Sequence, residues 1–295
     1  MKPKLVTMKY TITQFRLEFP IDAACLEHLF NVRYGTMEQC PDCLGGAKFQ
    51  PVKDRRAYQC PLCAYQVYPT AGTVFHKTTT PLTYWFYAIY LFTTTRNGVA
   101  AKELERQLDV CYKTALRMAH QIKKLMMDEE GGKLFGEVSI DETYFGQLGK
   151  NMHNSVKSGI KNGGGSKPGL MGFFEKDGRI VTRVLESGDK PWVEIVKDKV
   201  VPSATVITDS YPPYKNLKKS FAKHVRINHD ENEYVKDGFT TKNIENYWST
   251  LKRMIKGTHI HVSKRHLPKY VGENTFRYLH RDRPAQMFQL ILLKL

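Results

Sequence analysis

Glu137-Val138-Ser139-Ile140-Asp141-Glu142-Thr143-Tyr144-Phe145 carries alternating apolar residues and two adjacent carboxylates. Its pattern predicts a strand with Asp141 at the end of the apolar run Val138-Ser139-Ile140. A second short run, Ala204 to Thr208, predicts a buried strand that Asp209 follows. A carboxylate that terminates a buried strand stands at the sheet edge, where α/β folds bind their ligands. From Gly131 onward, strand-like runs alternate with helical ones, which makes this region an α/β domain.

Around those two strands the remaining elements fall into place. Leu170 to Glu175 and Arg179 to Glu186 predict a hairpin, with Asp177-Gly178 suited to a tight primed turn. Trp192 to Val200 predicts a helix. Asn243 to Ile255 predicts another, with Ile244, Tyr247, Trp248 and Leu251 on one side. Glu245 lies on it, 35 residues separating it from Asp209. The Lys-, Asn- and Gly-rich stretch from Gly146 to Gly169 cannot bury a core and predicts a mobile loop.

Three carboxylates converging in a basic chain call for a cation. Two Mg²⁺ ions suit them, since Mg²⁺ takes few protein carboxylates and completes its shell with water and phosphate oxygens. Each residue also has a plainer reading. Asp141 and Glu142 are adjacent, and alternation turns only one of them inward with Ser139. Asp209 also reads as a cap before Ser210-Tyr211-Pro212, and Glu245 as a surface helix residue.

Charge supplies the partner class. The chain has 295 residues and a formal net charge of +16, with 41% hydrophobic residues, enough for folded cores. Such a surplus favours a polyanion, because neutralising phosphates releases condensed counterions. The longest apolar run, Tyr84 to Phe92, is far shorter than the roughly 20 residues of a spanning helix. Met1 to Tyr10 lacks the apolar stretch of a secretory signal. The expectation is a soluble, cytoplasmic, nucleoid-associated protein that binds nucleic acid and not membrane.

Cys40-Pro-Asp-Cys43 and Cys60-Pro-Leu-Cys63 are separated by 16 residues, the spacing of a zinc ribbon. Two such turns offer four thiolates to one structural Zn²⁺ with no open coordination position. The ribbon reads either as a DNA or assembly contact or as a folding staple, and Lys48, Lys53, Arg55 and Arg56 either as its basic face or as solvated charge. Cys25 and Cys111 stand alone and are expected to be small buried residues.

Ala100 to Leu108, a turn at Asp109-Val110, and Tyr112 to Met126 are arranged like a helix-turn-helix. Leu104, Leu108, Ala115, Ala119, Ile122 and Leu125 mark the inner faces. Tyr112, Lys113, Thr114 and Arg117 then occupy the exposed start of the second helix, where bases and phosphates are read. The plainer alternative is a helical hairpin. Three segments result: residues 1–79 with the ribbon and little helical periodicity, 80–130 helical, and 131–295 the α/β domain.

In order along the chain, these pieces resemble the DDE insertion-sequence transposases with an N-terminal zinc ribbon, the insertion-sequence family fifteen ninety-five. The resemblance rests on Cys25-Leu26-Glu27-His28-Leu29 with Arg33, the paired cysteines, and Ala71-Gly72-Thr73-Val74-Phe75-His76. It continues through Ile140-Asp141-Glu142-Thr143-Tyr144-Phe145-Gly146, Thr208-Asp209, and Asn243-Ile244-Glu245-Asn246-Tyr247-Trp248 to Lys252-Arg253. Gly257-Thr258-His259-Ile260-His261-Val262-Ser263, Glu273 and Phe276-Arg277-Tyr278 complete it. It implies an RNase H-like catalytic domain that cleaves and joins DNA at terminal inverted repeats. Asp141, Asp209 and Glu245 would hold two Mg²⁺ (or Mn²⁺) ions. Lys252, two helical turns past Glu245, would hold a phosphate beside Arg253, and a homodimer or higher oligomer would synapse the ends. Leu44 and Ala64 stand where the family often has glycine after the second cysteine, with Gly45-Gly46 available to serve the first turn. Asn246 is a possible third ligand in place of Glu245. A nuclease or resolvase of the same fold, or a non-catalytic DNA-binding regulator, is the alternative.

Overall fold

The protein is described by a computed structural model covering residues 10–46, 48–127, 132–145, 169–186, 192–228 and 235–295. The loop expected over 146–169 lies outside the described residues except for Gly169, which opens a strand. Contacts divide the chain into two compact units, one running to Met126 and including His280–Leu295, the other Met127–Leu279. The ribbon and the helical segment thus share one unit, which also takes the last helix.

The first unit begins with α1 (Ile12–Glu18) and α2 (Asp22–Tyr34), two helices in a stretch from which little helix was expected. α1 is announced by a capping box between Thr11 and Gln14. Three two-residue strands, β1 (Gln50–Pro51), β2 (Tyr58–Gln59) and β3 (Gln66–Val67), form the antiparallel ribbon. α3 (Leu82–Thr94) is apolar on most sides and buries Leu82, Trp85, Phe86, Ile89 and Phe92, as a central helix must. Its N-terminus has no local cap, and Asp22 supplies one from 60 residues away. The Asp22 carboxylate accepts from the Leu82 and Thr83 amides at 3.0 Å each and pairs with Arg56 at 3.1 Å. Arg56 also donates to the Thr78 and Thr80 carbonyls, so it is part of this junction and not a solvated charge.

α4 (Ala101–Leu108) and α5 (Tyr112–Leu125) follow, joined through Asp109 in the left-handed conformation. Leu104, Leu108, Ala115, Ala119 and Ile122 are buried as the pattern requires, and Met118 joins them, while Leu125 is half-buried. The closing helix of the chain, counted below as α9 (Pro284–Leu292), inserts Phe288 among Tyr10, Phe15, Phe19 and Tyr90.

The second unit is a five-stranded mixed sheet in the order β6-β5-β4-β7-β8. Its strands are β4 (Glu137–Tyr144), β5 (Gly169–Glu175), β6 (Ile180–Leu185), β7 (Thr205–Asp209) and β8 (Lys223–Ile227). β5 runs antiparallel to both β4 and β6, and β7 lies parallel to both β4 and β8. The hairpin between β5 and β6 closes with three residues, Lys176 to Gly178. Only Gly178 has positive φ (102°), so this is a turn with a glycine bulge and not the two-residue primed turn.

Both faces of the sheet are covered. On one, Val138, Ile140, Met171, Phe173 and Val206 pack with α6 (Trp192–Lys199) and with Tyr214 and Leu217 of the 3₁₀ segment Pro212–Lys219. On the other, Leu170, Phe174 and Ile180 meet Ile244, Tyr247, Trp248 and Leu251 of α7 (Lys242–Met254) and Val271 of α8 (Leu267–Leu279). The apolar side read from Asn243–Ile255 is therefore the side that docks on the sheet. No helix of the described residues is long and apolar enough to cross a membrane.

Candidate active site

β4 and β7 pair in parallel with Ser139 opposite Ile207. Two residues further along each strand, the same register sets Asp141 level with Asp209. Strand alternation turns both toward the face that α7 covers, since Val138, Ile140 and Val206 turn to the opposite core. Glu245 enters from the first turn of α7. The buried Thr241 hydroxyl donates to its Oε1 at 2.6 Å and fixes the carboxylate. Asp209 accepts the Tyr211 amide at 3.0 Å.

The close approach of α7 depends on Gly172, which pairs with Asp141 across β4 and β5. A Cβ there would stand 2.4 Å from the Trp248 ring and 2.8 Å from Ile244 Cδ1. A missing side chain beside Asp141 thus lets the helix bring Glu245 down to it. Nothing in the sequence around Gly172 signals this, because the partner is 76 residues away.

Asp141, Glu142, Glu245, Trp248, Ser249, Lys252, Arg253, Lys256 and Gly257 line a cleft of about 670 Å³. Glu142 belongs to the cleft together with Asp141, although it comes from the other side of the strand, where Tyr214 donates to its Oε2 at 2.5 Å. Glu245 faces the cleft and its neighbour Asn246 does not line it. Lys252 and Arg253 both reach the wall, with Lys252 two turns above Glu245, and Arg253 Nε also bonds the Ser249 carbonyl at 3.3 Å.

Burial pushes the Asp141 carboxyl up to about 6, a rise reinforced by the charges of Asp209 and Glu245 and opposed by Lys252. Burial likewise takes Glu142 up to about 7 against the bond from Tyr214, with Asp141 and Asp209 adding to the rise. These carboxylates repel one another inside a cleft lined by three cations. That is an oxygen donor set whose charge a divalent ion would relieve, so the residues fit Mg²⁺ or Mn²⁺. They are set wider than a closed metal site: among the described residues only the four cysteines bring all their ligand atoms within 4.8 Å of one another.

Those cysteines sit in two turns of one design. In the first, the Leu44 amide donates to the Cys40 carbonyl at 3.0 Å, and the Cys40 amide to Gly45 at 2.8 Å. In the second, Ala64 donates to Cys60 at 3.0 Å and Cys60 to Tyr65 at 2.8 Å. Cys40 and Cys63 lie 3.6 Å apart through sulfur, Cys43 and Cys60 3.8 Å, as four thiolates around one Zn²⁺ require. Leu44 (φ 59°) and Ala64 (φ 64°) take the left-handed backbone that glycine would fill, so Gly45-Gly46 does not relieve Leu44.

The start of α5 presents fewer free groups than its sequence suggests. Tyr112 and Lys113 are exposed, with Lys102 Nζ 5.1 Å from the Tyr112 ring. The Thr114 hydroxyl lies 3.3 Å from Cys111 Sγ. Arg117 lies over the Trp85 ring and within 3.5 Å of Thr78 Oγ1. Cys25 is buried as expected. Cys111 is exposed because it occupies the N-cap of α5, outside the packed face.

Two family models match this chain. One, for an ISXO2-like transposase domain, covers residues 133–278, and the other, for a transposase zinc-ribbon domain, covers residues 20–66. The chain is also similar to an uncharacterized protein in transposable element ISH50 of Halobacterium salinarum. The two are 26% identical over 268 residues, covering 82% of this chain and 86% of that protein. The two matched regions contain the acidic cleft and the cysteine cluster respectively.

Proposed function

The chain belongs to the DDE insertion-sequence transposases that carry a zinc ribbon, family fifteen ninety-five, and on that premise we propose that it cuts and joins DNA at the terminal inverted repeats of its element. The observation that carries the proposal is the parallel register of β4 and β7, which sets Asp141 beside Asp209 on the face where α7 brings Glu245 and Lys252. A mixed sheet in which two parallel neighbours, β4 and β7, each carry one of these carboxylates supports reading this unit as an RNase H-like catalytic domain.

In this reading Asp141, Asp209 and Glu245 hold the catalytic Mg²⁺ or Mn²⁺, two ions per site. When bound, those ions supply Lewis acidity and charge neutralisation at the scissile phosphate. Lys252 and Arg253 hold a phosphate against the same wall, Lys252 as a point charge and Arg253 as a fork. Thr241 keeps the Glu245 carboxylate turned inward and Tyr214 anchors Glu142. Positioning and charge carry the reaction, since phosphoryl transfer leaves the protein little covalent work. Tyr112 and Lys113 lead the DNA contact of a helix-turn-helix formed by α4 and α5, with Thr114 and Arg117 joining once released from their internal partners. The ribbon holds one structural Zn²⁺, and synapsis of two ends takes a dimer or larger assembly.

Strand transfer with an element-end oligonucleotide and Mg²⁺ or Mn²⁺ tests the reading. Asp209→Ala and Glu245→Ala are expected to lower joining by about a thousandfold or more while binding the same DNA. Joining at the wild-type rate by both variants would remove the acidic site from the mechanism. Cleavage without joining by the wild type would favour a nuclease of the same architecture.

A further inference from the structure

Ile260 stands at the tip of a three-residue turn, with φ 62° and ψ −57° and with the His261 amide donating to the His259 carbonyl at 2.6 Å. This is the rare, strained form of the γ-turn. A β-branched side chain at positive φ adds to the strain. Such a backbone persists only where its surroundings over-determine it. Here both flanks are fixed: Ile255 is buried, the His259 ring packs edge-on to Tyr270 at 4.6 Å, and Val262 packs against the core under α7 and α8.

Between those anchors Ile260 is 84% exposed, more than any other large hydrophobic side chain among the described residues. It gives the core nothing, and glycine at this position would relieve the backbone. Folding alone therefore selects against isoleucine here. The turn continues directly from α7 through the π-helical segment Ile255–His259, which lends Lys256 and Gly257 to the cleft wall. Lys256, His261 and Arg265, within five residues of Ile260 in the chain, are exposed.

We infer that Ile260 is a wedge that enters duplex DNA beside the cleft and parts a base step next to the phosphate held by Lys252 and Arg253. The inference rests on the reading of the cleft as the site of DNA cleavage. An apolar side chain flanked by cations suits this partner, because the cations hold the backbone while the wedge replaces one base-stacking contact. A rigid turn suits it as well, since a mobile tip would fold away from the bases.

The full-length protein is mixed with element-end duplexes carrying 2-aminopurine at successive positions around the scissile phosphate. Wild type is expected to raise the fluorescence at one step, and Ile260→Ser to lose most of that rise. Cleavage of intact duplex by Ile260→Ser should fall about tenfold, the scale of a lost unstacking contribution. A mismatch placed at the same step should restore it to within about twofold of wild type. Ile260→Phe should keep the rise, and Ile260→Gly should unfold at the wild-type temperature or above while losing it. Wild-type cleavage with an unchanged rise in Ile260→Ser would overturn the wedge alone, as would failure of the mismatch to rescue. A change in oligomeric state on gel filtration with the rise retained would make Ile260 a contact between copies instead. Absence of any element-end cleavage by wild type would overturn the reading of the cleft, and the wedge with it.

Discussion

The cysteine cluster draws its four ligands from two turns that repeat the same pair of backbone hydrogen bonds, each turn complete within six residues. The three proposed catalytic carboxylates come from β4, β7 and α7, one from each, and Asp209 does not itself line the cleft. The first arrangement is encoded locally and closes on itself, with all ligand atoms within 4.8 Å. The second exists only after a sheet has paired in the right register and a helix has settled onto a glycine. A closed site serves folding, and an open one leaves room for a substrate.

If the two sites differ in this way, they should fail in different ways. The largest effect is expected at the ribbon. Cys60→Ser should bind no zinc and lose the ribbon fold, since a structural zinc contributes on the order of 10 kcal/mol. Metal analysis and proteolysis should show the Met127–Leu279 unit intact. A zinc still bound in that variant would break the four-cysteine assignment.

Gly172→Ala tests the opposite dependence. The added carbon meets Trp248 and Ile244, so overpacking should cost about 1–3 kcal/mol in denaturant unfolding. Tryptophan fluorescence should report the displaced helix, and DNA cleavage should fall further than the stability loss explains. Unchanged cleavage would mean that the carboxylates do not rely on the seating of α7.

The acidic site should also work against stability. Because the folded protein holds Asp141 up to about 6, protonated Asp141 favours folding below the ordinary aspartate range. That contribution is lost as pH rises through about 6. Asp141→Asn should therefore stabilise the metal-free protein near neutral pH, by at most about 3 kcal/mol. In wild type, Mg²⁺ should raise the unfolding temperature more at pH 8 than at pH 5, because protons compete with the ion. The smallest effect belongs to the knuckles: Ala64→Gly should add about 1 kcal/mol to the zinc-bound ribbon by relieving its left-handed backbone.

The same contrast explains what could be read from the sequence. Cys40, Cys43, Cys60 and Cys63 were legible through spacing alone. Asp141, Asp209 and Glu245 were legible as the ends of apolar runs and as a position on an amphipathic helix, while their grouping came from the family resemblance and from no local pattern. That grouping depends on strand pairing. Gly172, Thr241 and Tyr214 gave no signal, since each acts on a residue distant in the chain or through a single contact. Alternation suggested that Asp141 and Glu142 must take opposite faces. Both nevertheless line the cleft, Glu142 while Tyr214 holds its Oε2, because the β4–β7 pairing stops at Ser139 and leaves that edge of β4 open. α1 and α2 leave little periodic signal because one is short and the other carries apolar residues around much of its circumference. Cys111 was misplaced because a helix cap lies outside the periodic pattern.

Phe288 makes one unit of the chain discontinuous and leaves the other whole. The Met127–Leu279 unit draws all its strands and helices from one continuous stretch, so it can close without α9. The unit that holds the ribbon and α3 cannot, because the ring that fills the space among Tyr10, Phe15, Phe19 and Tyr90 arrives only with the last helix. The unit that carries the acidic cleft can therefore close from consecutive residues, whereas the unit that carries the ribbon waits for a helix that lies beyond it in the chain.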